Sequence, residues 1–223
     1  MDAWKLKVQE HESKILYENF DFIKATNQCL IVGGAGQGKT VLAVDIINRL
    51  HEKDEKIIWF CPMKCFDLQK QGKIPQWIKL VHMKYYKFQP GFMHLFDDAA
   101  VSAHVREWYK KYNINLVKIL GTARHKKAGV VVTAQESADI DAKILPKTHY
   151  VIFKKPNRFA AEMERPVMRD ISMNVRQWFK EDIISQGLDS RKYAYVIATD
   201  DDWEGWVGPV DPPEWFSPEI GDW

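Results

Sequence analysis

Gly33, Gly34, Ala35, Gly36, Gln37, Gly38, Lys39 and Thr40 stand in an unbroken G-x-x-x-x-G-K-[ST] spacing. The chemistry this spacing serves is phosphate binding. Glycines admit positive φ, so successive backbone N–H groups can curl inward around an anion. If a helix starts directly after the loop, its first N–H groups add unpaired donors and a favourable dipole. Lys39 brings a mobile positive charge for β- and γ-phosphates, and the Thr40 hydroxyl can hold Mg2+.

Such a loop needs a carboxylate for its metal. The segment FMHLFDD supplies one in Asp97, 58 positions after Lys39. At the end of an apolar strand, Asp97 would sit at the carboxyl edge of a sheet beside the loop and hold Mg2+ through water. Asp98 would then orient the attacking water. The segment VVVTAQ closes on Gln135, a polar strand end that could face the γ-phosphate and sense its loss. Each has a plainer reading, since paired acids after a strand are often a solvated turn and many strands end on a polar residue. The phosphate loop upstream favours the functional one.

The elements that must position these residues follow from the hydrophobic pattern. Short apolar runs at 28–33, 56–61, 91–98, 129–135 and 149–155 read as strands. Residues 38–52 read as a helix with Val41, Val44, Ile47 and Leu50 on one face. Residues 99–127 and 157–186 have helical composition, and alternation of strands with helices predicts an α/β fold with a mainly parallel sheet covered on both faces. Residues 192–210 read as two strands of a C-terminal hairpin, followed by an acidic tail with prolines. The expected organisation is a lead-in at 1–26, a nucleotide-binding core at 27–186, and a hairpin with an acidic Pro- and Trp-rich tail at 187–223.

Charge is unevenly spread. Residues 200–223 hold eight of the 30 acids and no Lys or Arg, so residues 1–199 carry 22 acids against all 32 bases. A basic body suits a polyanion partner. Arg106, Lys110, Lys111 and Lys118, interleaved with Trp108, Tyr109 and Tyr112, would suit nucleic-acid backbone contact, although an ordinary amphipathic helix explains them too. Cys29, Cys61 and Cys65 lack zinc-site spacing and read as reduced thiols. The charged start has no signal-like apolar region, and no run approaches the ~18 apolar residues that span a bilayer. A cytoplasmic protein without its own membrane anchor is expected. Trp203, Trp206, Trp215 and Trp223, set among acids, read equally as anchors for another protein and as packing within the domain.

The loop GGAGQGKT, the acids in FDD, and the basic segment ARHKKAG leading into the strand closed by Gln135 resemble the FtsK/HerA superfamily, and within it the compact genome-packaging ATPases of viruses. The resemblance covers roughly residues 25–155. It implies a RecA-like P-loop NTPase in which the loop's strand lies beside the Gln135 strand, with ATP and Mg2+ as cofactors. It also implies a homo-oligomeric ring that translocates double-stranded DNA without reading its sequence. A capsid or portal protein would be a further partner, with location in the host cytoplasm or on the virion. An arginine before the fourth strand would act on the neighbouring subunit's nucleotide; here the position falls on Arg124, with Lys126 and Lys127 as fallbacks. Asp98 stands where many relatives carry Glu. Three other readings stay open. A small metabolite kinase would use the bases of 154–176 (Lys154, Lys155, Arg158, Arg165, Arg169 and Arg176) as a lid. An assembly or extrusion ATPase would not need DNA. A GTP switch lacks its N-K-x-D motif.

Overall fold

Strands buried on both faces show continuous apolar runs rather than alternation. QCLIV, IIWFC, MHLF, GVVVTA and YVIF are such runs, and every residue in them is buried. The computed structural model describes residues 15–82, 88–97, 122–135, 145–164, 166–199 and 203–220. Within them are strands β1 (Ile15–Tyr17), β2 (Gln28–Val32), β3 (Ile57–Cys61), β4 (Ile78–His82), β5 (Met93–Phe96), β6 (Gly129–Ala134), β7 (Tyr150–Phe153), β8 (Ala194–Ala198) and β9 (Glu204–Val207). They form one nine-stranded sheet in the order β1-β9-β8-β7-β2-β6-β5-β3-β4. Eight strands run one way and β8 alone runs against them. This is the α/β, mainly parallel architecture expected from the sequence, with β2 beside β6.

Side-chain alternation splits the core in two. Cys29, Ile31, Ile57, Trp59 and Val131 face one layer; Leu30, Val32, Ile58, Phe60 and Val132 face the other. The first layer is covered by helices α1 (Lys39–His51) and α2 (Met63–Lys70). The second is covered from the stretch 157–186, which divides into α3 (Arg158–Met163), α4 (Pro166–Trp178) and a π-type turn at Phe179–Ile183. Pro166 opens α4 at the position where a missing N–H costs nothing. Met168, Val175, Phe179 and Ile183 provide the inner stripe. Among the described residues, no helix is long and apolar enough to cross a membrane.

The expected C-terminal hairpin is present as β8 and β9, and it widens the same sheet, since β8 pairs with β7 and β9 with β8. Trp206 is 1% exposed. It meets Phe179 and Tyr195 edge-on, with ring centroids 4.7 and 5.2 Å apart, and donates from Nε1 to Asp182 Oδ2 at 2.8 Å. Trp203 and Trp215 pack on the first layer, and Trp215 Nε1 donates to Asn48 Oδ1 of α1 at 3.0 Å. The three described tryptophans of this region therefore pack on their own chain, and Trp223 lies outside the described residues. The same segment corrects the reading of α1 as a one-faced helix. Its residues from Leu42 to Ile47 are all buried, because the sheet takes one side and the returning C-terminal segment crosses part of the other.

Gly129 shows how tightly β6 is seated. A Cβ there would lie 2.3 Å from the Ala25 carbonyl oxygen and 2.8 Å from that of Asn27, both backbone atoms. Gly129→Ala is expected to lower stability by about 1–3 kcal/mol through overpacking. Urea unfolding reads this as a lower midpoint at unchanged slope; an unmoved midpoint would contradict the packing.

Candidate nucleotide-binding site

The phosphate loop lies at the carboxyl end of β2 and opens directly into α1. Gly33 is required by close approach: its Cβ would stand 2.6 Å from Lys154 Cβ and 2.8 Å from the Lys154 carbonyl oxygen. Gly36 and Gly38 have φ of 69° and 81°, a region that other residues enter at a cost. Gly38 is the N-cap of α1, with no side-chain cap and no acid in the first turn, so neither occupies the helix's opening N–H groups. Ala35 and Gln37 complete the bend, where Gln37 N donates to the Gly34 carbonyl at 3.3 Å. Lys39 is 8% exposed, and its Nζ donates to the carbonyls of Gly33 and Gly34 at 3.0 and 3.2 Å. The ammonium is thereby folded back across the opening residues of the loop.

Asp97 follows β5 and is 2% exposed. Thr40 donates from Oγ1 to its Oδ1 at 3.2 Å, and Thr133 of β6 donates to the same oxygen at 2.7 Å. Three elements thus converge at the carboxyl edge of the sheet, and two of the sequence-selected residues, Thr40 and Asp97, are brought into contact. Thr133 was not singled out in the sequence. A threonine in a β-branched run looks like any other strand residue, and only its burial beside Asp97 marks it. The residues suit Mg2+: a hydroxyl and a carboxylate are hard oxygen donors, and they stand beside a glycine cradle without a capping acid.

Gln135 is exposed just beyond the end of β6, the neighbour of β2. Arg124 begins a short 3-10 turn (Arg124–Lys126) before β6, at the opposite edge of the sheet from the loop. Six strand residues separate those edges, about 20 Å. Lys126 is exposed on the same turn and Lys127 just after it, with Lys126 Nζ 5.3 Å from the Phe88 ring centroid. Asp98 and the bases from Arg106 to Lys118 lie outside the described residues. A hydrogen bond to Cys65 and burial push the Cys61 thiol up, and burial does the same to Cys29, so neither supplies a thiolate.

Lys154, at the end of β7, is completely buried against the loop. Its Nζ donates to the carbonyls of Arg191 and Tyr193 at 2.6 and 2.7 Å, tying the loop's back to the turn before β8. Burial lowers its pKa to about 7, against a smaller opposing pull from Asp189. Between that value and the ordinary lysine range, the unfolded chain holds a proton that the folded chain has released, so raising the pH favours folding. Wild-type stability relative to Lys154→Met is expected to rise from pH 6.5 to pH 9.5 in denaturant titrations. A difference independent of pH would contradict this burial of charge.

Fold and loop define the class: a RecA-like P-loop NTPase. The chain is similar to B204, the DNA-packaging ATPase from Sulfolobus turreted icosahedral virus, with a TM-score of 0.59 and 12% identity over 85% of this chain and 100% of that one. It is similar to the genome packaging NTPase B204 from Sulfolobus turreted icosahedral virus 2 in complex with ATP-gammaS, with a TM-score of 0.58, 12% identity, and the same coverage of 85% and 100%. It is also similar to the pCW3 conjugation coupling protein TcpA, with a TM-score of 0.54 and 12% identity over 95% of this chain and 69% of that one. These structural neighbours agree with the resemblance stated from the sequence. No family model matches the chain, and no curated protein matches it.

Proposed function

We propose that this chain is a Mg2+-dependent ATPase of the FtsK/HerA type that works as a homo-oligomeric ring and drives double-stranded DNA into a viral capsid. The observation that carries the reading is the contact of Thr40 with Asp97 beside an uncapped glycine loop, in a fold shared with a packaging ATPase and a conjugation coupling protein. The neighbour in complex with ATP-gammaS supports a nucleotide as the ligand of the loop.

In this reading the backbone N–H groups of residues 33–40 cradle the phosphates, and Lys39 neutralises the β and γ groups. Thr40 and Asp97 hold the metal, with Thr133 fixing the carboxylate's orientation. Mg2+ bound there supplies charge that offsets what develops on the phosphoryl oxygens. Asp98 orients the water and Gln135 reports loss of the γ-phosphate. The backbone of Arg124, on the turn before β6, lies at the opposite edge of the sheet from its own loop, which favours action on the adjoining subunit, with Lys126 and Lys127 as the alternatives. The basic body meets the DNA backbone without reading bases. A capsid or portal protein as docking partner, and residence in the host cytoplasm or virion, belong to the same proposal.

ATP turnover of the full chain, measured with and without duplex DNA over a salt series, tests this directly. DNA is expected to stimulate turnover, with the effect fading steeply as salt rises. Lys39→Ala and Asp97→Ala are expected to lose at least about 100-fold in turnover, through lost charge stabilisation. Asp98→Asn is expected to bind nucleotide without hydrolysing it, and mixing it with Arg124→Ala should restore part of the activity. Wild-type turnover in the Lys39 variant would reject the site. A phosphorylated small-molecule product would turn the reading to a kinase, and turnover indifferent to DNA would turn it to an extrusion pump.

A further inference from the structure

Lys154 has no part in the proposed phosphoryl chemistry, yet its side chain runs along the back of the phosphate loop. A Cβ at Gly33, the loop's first residue, would lie 2.6 Å from Lys154 Cβ. A Cβ at Gly38, its last glycine, would lie 3.8 Å from Lys154 Cε. The root of the lysine thus meets one end of the glycine series and its tip the other. Neither glycine has a side chain to stand between the lysine and the loop's backbone.

The buried nitrogen is provided for two hydrogens rather than three. Lys154 Nζ donates to the Arg191 and Tyr193 carbonyls, and among the described residues it has no further acceptor. A neutral amine has two N–H groups to place, an ammonium three. A third N–H without a partner, and its charge, are costly away from water. Burial brings the pKa to about 7, so near neutral pH both forms are present. The charges around it stay constant there. On the turn before β8, Asp189 attracts the ammonium; its bond to the Arg191 side chain holds it well below the usual carboxylate range. Lys192 of the same turn pairs with Asp211. On the loop side, Lys39 lies on the Gly33 and Gly34 carbonyls and repels, as does Lys155, the next residue along the chain.

A polyphosphate in the loop alters this balance, because negative charge close to a nitrogen shielded from water favours its charged form. We propose that Lys154 is a positioning residue that takes up a proton from solvent as the loop receives a nucleotide's phosphates, the ammonium then standing behind the amide cradle as a counter-charge. This rests on the nucleotide-binding reading of the loop. Charge strengthens the two bonds to Arg191 and Tyr193, so loading the loop also tightens its tie to the turn before β8. Lys39 differs, since it would meet the phosphates directly. Uptake on binding means a higher pKa in the complex than in the free chain. Affinity is therefore greatest below the free value and falls as pH rises through the bound value.

Calorimetric titration of the full chain with Mg2+ and ADP, in buffers of different ionisation heat, counts the protons exchanged. About half a proton is expected to enter per nucleotide at pH 7.5 and almost none at pH 6, with affinity falling about tenfold from pH 6 to pH 9. Lys154→Met removes the titrating group, and Lys154→Gln keeps two N–H donors without a charge; in both, uptake is expected to vanish and affinity to stay level with pH. In the wild-type chain with 13Cε-labelled lysine, one resonance is expected to titrate near pH 7 without ADP and about one unit higher with it. Binding without proton uptake, uptake unchanged in a variant that binds ADP, or a lysine resonance that ADP does not move would each overturn the inference and leave the ATPase reading intact. A wild-type chain that binds no nucleotide would remove both.

Discussion

A carboxylate withdrawn from water is stable only where donors or a cation replace the solvent it has lost. Asp97, almost fully buried, receives hydroxyls from Thr40 and Thr133 on one oxygen. Those hydroxyls come from α1 and β6, while Asp97 itself follows β5. Convergence of the three demands that β2, β6 and β5 be adjacent, parallel and in register at their carboxyl ends. The contact therefore reports the correctness of the sheet as much as it would prepare the proposed metal site.

The rest of the molecule holds that edge still. Two apolar layers clamp the sheet, and the C-terminal segment crosses back to α1, the helix that carries Lys39 and Thr40. On the loop's other side, Lys154 takes the place a side chain at Gly33 would need and bonds to the turn before β8. The loop is thus wedged between β7 and the turn before β8, and its glycines reflect these neighbours. A phosphate cradle of backbone amides works only if those amides are already aimed, so this packing would serve the proposed binding.

Much of this was legible because the decisive signals are local. The loop's spacing, the apolar run ending in Asp97 and the five buried strands each lie within a few consecutive residues, and the adjacency of β2 and β6 follows from the resemblance they carry. What was hidden depends on distant partners. Lys154 in FKK reads as one more base of a candidate lid until the Arg191 and Tyr193 carbonyls are brought to it and it is found fully buried. Trp203, Trp206 and Trp215 look available for another protein until their own core covers them. β4 escaped notice because IKLVH mixes bases with apolar residues as an edge strand does, and α2 because its eight residues bury only Cys65 and Leu68.

Anomalous scattering from Mn2+, in crystals grown with a non-hydrolysable nucleotide, tests the central claim most directly. The account predicts one strong peak about 2.1–2.3 Å from Thr40 Oγ1, with Asp97 bound to it directly or through one water, and Lys39 Nζ on the outer phosphate oxygens. A metal held elsewhere, with Asp97 still turned only to its two threonines, would contradict it.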